Sequence, residues 1–340
     1  MALNFSCSKG QHPEQVNQYF DLNVIDAFYH PDVLNAFFGE EWYAVLIEGE
    51  GNAFFHVFEP QSIDGTDEWL DIDPILGYYG PLVNTSNLEF IEKAIALYIL
   101  RQEQNNIVAE VMRFNPLMKN HLTFQTMGNM KVVEAKKIIV INCYSEENQQ
   151  LLEFTAKCRS SVKRGIRDCS FQLLDKGSQW GLFTNLYLGS LDRIGADKKW
   201  YFSPDIFDQI KQKEIFKIFG VYSDNHLTCV ALVIDHPFAG YYLMAASTSN
   251  PVQGANEYLI YSISKYLSNK GVKHFILGGG NTSSEEDPLY KFKRKFAKEH
   301  TPFYIGKIIH SKSRYDQLCC EAIQKKPDLR NSQFFLKYHL

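Results

Sequence analysis

The sequence predicts an α/β protein in which one mixed unit of strands and helices occurs twice. Three observations predict it. Between Gly240 and Gly280, residues 240–248 (GYYLMAAST) alternate with the two-residue period of a strand, Leu259, Ile260, Ile263 and Leu267 recur at helical spacing, and residues 273–280 (KHFILGGG) return as strand; together they make one right-handed βαβ unit. The order of three strands, helix, strand, short helix and strand reads twice along the chain, once from Trp42 to Cys143 and once from Ile215 to His310. In both copies a proline behind a capping residue, Asn115-Pro116 and Asp287-Pro288, opens the short helix.

In the first copy, residues 42–49 (WYAVLIEG), 53–61 (AFFHVFEPQ) and 75–83 (ILGYYGPLV) are apolar runs of strand length. An acidic stretch, residues 64–73, separates the second from the third; it lacks the ligand order and glycine position of a calcium loop and is expected to be solvated. A helix follows over 87–104, with Phe90, Ile91, Ala94, Ile95 and Tyr98 on one face, then strands over 106–114 and 131–143. Residues 145–169 are expected to form one long helix joining the copies. On it Arg159, Lys163 and Arg167 lie one turn apart with Arg164 beside them. Such a stripe is ordinarily a solvated face, and its sharper alternative is a phosphate clamp. Helical stretches over 181–196 and 203–212 precede the second copy, whose strands are expected at 215–223, 226–236, 240–248, 273–280 and 301–310, with a helix over 255–269. The C-terminal run 313–326 is amphipathic and is expected to pack on the second domain. The domains are expected at 1–145 and 146–340, the second including the linking helix.

Composition excludes more than it selects. With 45% hydrophobic and 22% charged residues in 340, the chain is globular and large enough for two cores. A net charge of −4 speaks against a broad nucleic-acid-binding surface. No apolar run reaches the roughly 20 residues of a membrane span, and the N-terminal residues lack a signal peptide's apolar core, so the expected location is the cytoplasm. Seven cysteines without a C-x-x-C pair fit neither a disulfide framework nor a zinc site, and reduced, mostly buried thiols are expected. The ten histidines show no metal spacing, and no metal is expected.

Four stretches together resemble the FemABX peptidyltransferases: Tyr78-Tyr79-Gly80-Pro81, Arg113-Phe114-Asn115-Pro116-Leu117, Lys163-Arg164-Gly165-Ile166-Arg167, and, most specifically, Leu289-Tyr290-Lys291-Phe292-Lys293-Arg294-Lys295-Phe296, which carries the family's L-Y-x-F-K-x-x-F pattern. The resemblance runs from about Trp42 to Gly306. It implies two tandem GNAT-like domains of mixed sheets flanked by helices, the first on the acceptor side and the second on the catalytic, donor side. It further implies transfer of an acyl or aminoacyl group to an amine on a cell-envelope precursor, the best-known members taking an amino acid from aminoacyl-tRNA. Two departures leave the donor open between acyl-CoA and aminoacyl-tRNA, neither held as a tightly bound cofactor. The chain has no long charged heptad segment for a helical arm, and Gln253, Gly254 and Ala255 lack the spacing that wraps a pyrophosphate.

Acyl transfer to an amine passes through a tetrahedral intermediate whose oxygen becomes negative, so a cation or N–H donors must stand where that charge develops. The resemblance assigns this task to Lys293 with Phe292, on a helix whose expected core stripe is Leu289, Phe292 and Phe296. On periodicity alone Lys293 is a surface lysine. Tyr290 shares the neighbouring face with Lys293, and Gly279 and Gly280 fall beyond the carboxyl end of a strand, where ligands to such units bind. Tyr242 and Ser247 on the preceding strand and Asn256 in the next helix's first turn are further candidate substrate contacts, as are Lys163 and Arg164. Tyr79, Arg113 and Arg167 are assigned by resemblance to acceptor or phosphate contact. Glu257 and Asp287 are carboxylates able to take the amine's proton, but the stronger reading is structural, Glu257 as a first-turn acid and Asp287 as a helix cap. The acceptor expected is a nucleotide- or lipid-linked amino sugar or peptide. An acetyl-CoA-dependent acetyltransferase of a small amine and a non-catalytic binding module remain as alternatives.

Overall fold

A computed structural model describes residues 2–66, 68–74 and 76–340. By internal contacts the chain divides into two units, residues 1–21, 38–135 and 303–340 in the first, 22–37 and 136–302 in the second. The division differs from the expected boundaries at both ends, for packing reasons given below. Among the described residues no helix is long and apolar enough to cross a membrane.

The elements of the first half are β1 (Asn4–Lys9), α1 (Pro31–Phe38), β2 (Tyr43–Gly49), β3 (Asn52–Phe58), β4 (Gln61–Ser62), β5 (Leu70–Ile72), β6 (Leu82–Val83), α2 (Leu88–Gln104), β7 (Ile107–Arg113), α3 (His121–Phe124) and β8 (Lys131–Asn142). In the first unit β1, β2, β3 and β6 form an antiparallel sheet in that order. β5 pairs with β4 antiparallel and with β7 in parallel. Phe90, Ile91, Ala94, Ile95 and Tyr98 of α2 are all buried, against Val45, Ile47 and Phe54 of the sheet and Ile107 and Met112 of β7. Asn87 caps α2, its side chain accepting from the Phe90 N–H at 3.2 Å, so the expected helix is present one residue shorter.

Two expectations for this unit are corrected. Residues 76–81 are not strand, and only Leu82–Val83 pair; Ile75 lies outside the described residues, as does Asp67 of the acidic stretch. Asn115-Pro116 opens a turn rather than a helix. The Asn115 Oδ1 accepts from the N–H groups of both Leu117 and Met118, and this side-chain turn competes with helix formation.

The second half comprises α4 (Glu147–Glu153), α5 (Ala156–Asp168), β9 (Ser170–Leu174), α6 (Trp180–Ile194), α7 (Pro204–Gln212), β10 (Phe216–Ser223), β11 (His226–Asp235), β12 (Gly240–Ser247), α8 (Ala255–Asn269), β13 (His274–Gly278), α9 (Pro288–Lys293), β14 (Thr301–Ile309) and α10 (Lys312–Lys325). In the second unit the strands run β8, β13, β12, β11, β10, β9; β12 and β13 are parallel and their neighbours antiparallel. The parallel ladder is short. Gly240 pairs with Phe275 and Tyr241 with Ile276, and beyond them the two strands part. A β-bulge between Leu232 and Val233 of β11 and another between Ile276 and Gly278 of β13 bend the strands on either side. α8 packs Leu259, Ile260, Ile263 and Leu267 against this sheet, as its spacing predicts.

The single linking helix is corrected to two. α4 ends at Phe154, and Thr155 starts α5 as its cap, accepting from the Cys158 N–H at 3.3 Å. Burial decides the break: Phe154 is in extended conformation and sits edge-on to Phe296 at 5.3 Å.

Residues 22–37 join the second unit because the buried Asp26 carboxylate accepts from the Tyr241 hydroxyl at 2.7 Å and Phe28 packs on the Tyr241 ring. The C-terminal segment belongs to the first unit, not the second, because Ile305–Ile309 of β14 pair with β7, and Leu318 of α10 and Leu336 pack on Ile63, Val108 and Ala109. The thiols are all free, but only Cys158 and Cys229 are buried, while Cys7 and Cys320 are exposed.

Candidate active site

β13 ends on three glycines, and the chain must turn there. Gly278 has φ +73°, a conformation that side chains rarely adopt. A Cβ on Gly279 would stand 3.0 Å from the Lys137 carbonyl oxygen, and one on Gly280 would stand 2.5 Å from the Asp287 carboxylate, so both positions are filled by their neighbours. Asp287 then starts α9. One of its oxygens accepts from the N–H groups of Leu289 and Tyr290 at 2.9 and 3.1 Å, and the other from the Thr282 N–H and hydroxyl at 3.0 and 3.2 Å. Burial works to raise its pKa, but these donors prevail and hold it below the usual carboxylate value. Asp287 is therefore the cap of α9.

α9 carries Lys293 inward. Lys293 is 8% exposed, and its Nζ donates to the Gly279 carbonyl at 3.0 Å. Burial, and after it the neighbouring Lys136 cation, lowers its pKa to about 7, against a smaller opposing effect of Asp287. Lys136 on β8 donates to the next carbonyl, Gly280, at 2.9 Å. Thus two lysine side chains hold successive carbonyls of one turn. Lysine has three donors, and one bond of Lys293 is with protein.

The expected stripe on α9 is rotated: Leu289 is exposed, whereas Tyr290, Lys293, Phe296 and Ala297 are buried and Phe292 is half-buried. α9 ends at Lys293 and continues as a tighter 3₁₀ turn over Arg294–Phe296, but Leu289 and Lys293 precede that turn, and the inward face of α9 is the one whose Lys293 bonds the Gly279 carbonyl. Tyr290 is anchored through its hydroxyl to His300 Nδ1 at 2.8 Å. Lys295 pairs with Glu257 at 2.5 Å and lies over the Phe292 ring at 4.2 Å from its centre. Glu257 is committed to that ion pair.

The other candidates fall into separate groups. The Ser247 hydroxyl donates to Asn256 Oδ1 at 2.8 Å, bringing the end of β12 to the first turn of α8. Tyr242 packs in the core of this unit, edge-on to Phe275 at 6.0 Å, and burial raises its hydroxyl's pKa. Lys163, Arg164 and Arg167 are exposed on α5. Arg164 bonds Gln253, and Arg167 forms a two-pronged pair with Asp168 at 2.7 and 2.8 Å. α5 crosses α8 closely because Gly165 and Gly254 meet there; with a Cβ, either would strike the other helix.

Tyr79 and Arg113 belong to the first unit. Tyr79 is buried, and Arg113 donates from Nε to the Gly77 carbonyl at 2.9 Å with its guanidinium over Phe303 at 5.1 Å. This unit also holds a cluster that the sequence did not disclose. The fully buried Glu110 carboxylate lies 2.6 Å from His56 Nε2, 3.1 Å from His310 Nε2 and 2.9 Å from the Tyr98 hydroxyl. Burial opposes its ionisation, yet the two imidazoles lower its pKa to about 2. Its residues come from β3, α2, β7 and the position just after β14, with no common spacing, so no local signal marks them. The adjoining space, about 10 Å³, is too small for a substrate. Among the described residues no group of His, Cys, Asp or Glu is arranged to hold a metal ion.

A scan against known protein families finds no match, and no curated protein matches in sequence. Solved structures do match. FemX aligns with a TM-score of 0.61 at 13% identity over 81% of this chain and 90% of that one. The C-terminal domain of a putative lysylphosphatidylglycerol synthetase from Agrobacterium fabrum gives 0.54 at 17% identity, over 82% and 87%. A tandem GNAT protein from the clavulanic acid biosynthesis pathway gives 0.52 at 11%, over 91% and 99%. In fold, the chain is a FemABX-like tandem GNAT protein.

Proposed function

We propose that the protein is a transferase that moves an acyl or aminoacyl group onto an amine of a cell-envelope precursor, a nucleotide- or lipid-linked amino sugar or peptide. One observation carries the proposal: the only lysine buried this deeply among the described residues, Lys293, stands at the glycine turn of β13, next to where β12 and β13 part, with donors to spare. That is the equipment a tetrahedral oxyanion needs, and the fold shared with FemX supports it. Phe292, next to Lys293 in the chain, is proposed to act with it, and Tyr242, Ser247, Asn256, Gly279, Gly280 and Tyr290 are proposed substrate contacts. Tyr79, Arg113 and the α5 cations Lys163, Arg164 and Arg167 are proposed acceptor or phosphate contacts. The proposed donor is acyl-CoA or aminoacyl-tRNA, used as a substrate and not as a tightly bound cofactor.

The test is to supply the protein separately with labelled acetyl-CoA and with charged tRNA, in the presence of nucleotide-linked amino sugars and peptides, and to follow the label. Transfer to an amine supports the proposal and names the donor. Transfer from acetyl-CoA to simple amines alone supports the second reading, an N-acetyltransferase, which draws on the tandem GNAT likeness. Lys293→Met is expected to lower kcat about 100-fold with little change in substrate binding.

A further inference from the structure

A buried ammonium group ordinarily sits in an ion pair, because a lone charge in a low-dielectric interior is costly. Lys293 does not. Its protein partner is one carbonyl oxygen, that of Gly279. β8 presents to it not a carboxylate but another cation, Lys136, which bonds Gly280 O one peptide further on. The nearest acids are engaged elsewhere: Asp287 by four N–H and O–H donors, Glu257 by Lys295, and Glu285 by Lys137 at 2.8 Å. Burial and a like charge act in the same direction, towards the neutral amine. The Gly279–Gly280 peptide fixes both side chains at once, since Lys136 Cδ and Cε also lie 3.3 Å from where a Gly279 Cβ would be.

Resting on the transfer reaction proposed above, we infer that Lys293 is the proton carrier of the reaction as well as the partner of its oxyanion, and that Lys136 is the positioning residue that keeps Lys293 ready to accept a proton. The step balances without another group. The acceptor amine's lone pair forms the C–N bond to the donor carbonyl, and the carbonyl π pair moves to oxygen. The proton on the new C–N nitrogen passes to the neutral Lys293 Nζ, which becomes an ammonium beside the oxyanion. When the carbonyl re-forms, the bond to the donor's leaving oxygen or sulfur breaks with its electron pair, and that atom takes the proton back from Lys293. A fixed surface-type ammonium would supply only half of this cycle. A site with no carboxylate free to act as base requires the other half from somewhere.

The test is a titration of the full-length protein carrying lysine labelled with ¹³C at Cε, the Lys293 signal being assigned by its loss in Lys293→Met. The expected result is one lysine titrating near neutrality, whose midpoint moves upward in Lys136→Met and stays in place in Lys136→Arg, which retains the cation. Titration of Lys293 with the ordinary lysines near ~10.4 overturns the inference, as does a midpoint indifferent to Lys136→Met. In the label-transfer assay, the rate should rise with pH through the Lys293 midpoint, and Lys136→Met should displace that limb to higher pH rather than lower the plateau. A normal Lys293 titration accompanied by label transfer overturns the proton carrier and leaves the transferase standing. Absence of transfer from either donor removes the reaction, and the proton carrier with it.

Discussion

Lys293, the proposed partner of the oxyanion, works against its own fold. A buried cation without an acid partner opposes folding, so Lys293→Met, which keeps the volume and removes the charge, is expected to raise the melting temperature while lowering kcat about 100-fold. The sign follows from the depressed pKa. The unfolded chain holds this proton more tightly than the folded one, so the penalty is full below about pH 7 and fades as pH rises through the range of an unfolded lysine. The gain in stability of the methionine variant should therefore be larger at pH 6 than at pH 10, measured by urea unfolding. Glu110 works in the opposite sense. Its pKa of about 2 means that its stabilising contribution is present above the ordinary carboxylate value and is lost as pH falls through the folded one, so the wild type should lose stability steeply in acid. Glu110→Gln removes the charge from two buried imidazoles and should destabilise by about 3 kcal/mol. A variant that unfolds at the wild-type urea concentration would contradict this.

At the scale of elements, the turn between β13 and α9 and the crossing of α5 over α8 are places where glycine lets the chain approach a neighbour closely. Asp287 does two tasks there, capping α9 and filling the space over Gly280. Asp287→Ala should cost ~1 kcal/mol as a lost cap, and by loosening α9 it should also shift the Lys293 titration. Gly254 has φ +92° and the Ser161 carbonyl where a Cβ would be, so Gly254→Ala combines backbone strain with a clash and should destabilise by about 2 kcal/mol or more in thermal melts. Here the sequence spoke clearly where periodicity did. The 3.6-residue spacing of Leu259, Ile260, Ile263 and Leu267 placed α8 at its observed limits, and Asp287 was recognisable as a cap. It failed at α9, where the inward face is the one whose Lys293 bonds the Gly279 carbonyl outside the helix, and at Phe154, whose burial against Phe296 outweighs helix continuation.

For the whole molecule, the two units are not two consecutive halves of the chain. Residues 22–37 and 303–340 each belong to the unit distant in sequence, held by Tyr241 on Asp26 in one case and by strand pairing with β7 in the other. Leu336, fully buried on Val108 and Ala109, should be indispensable to the first unit, and Leu336→Ala is expected to cost about 2–5 kcal/mol in its unfolding. The sequence by itself determined the α/β class, the repeated order of elements, most strand and helix limits and the candidacy of Lys293, because these rest on local spacing and on a contiguous motif. Tertiary structure alone decided that Lys293 is buried beside Lys136, that Glu257 is already engaged by Lys295, and that Glu110 lies between two histidines. Each of these depends on residues far apart in the chain being brought within hydrogen-bond distance, and no local pattern of side chains records that.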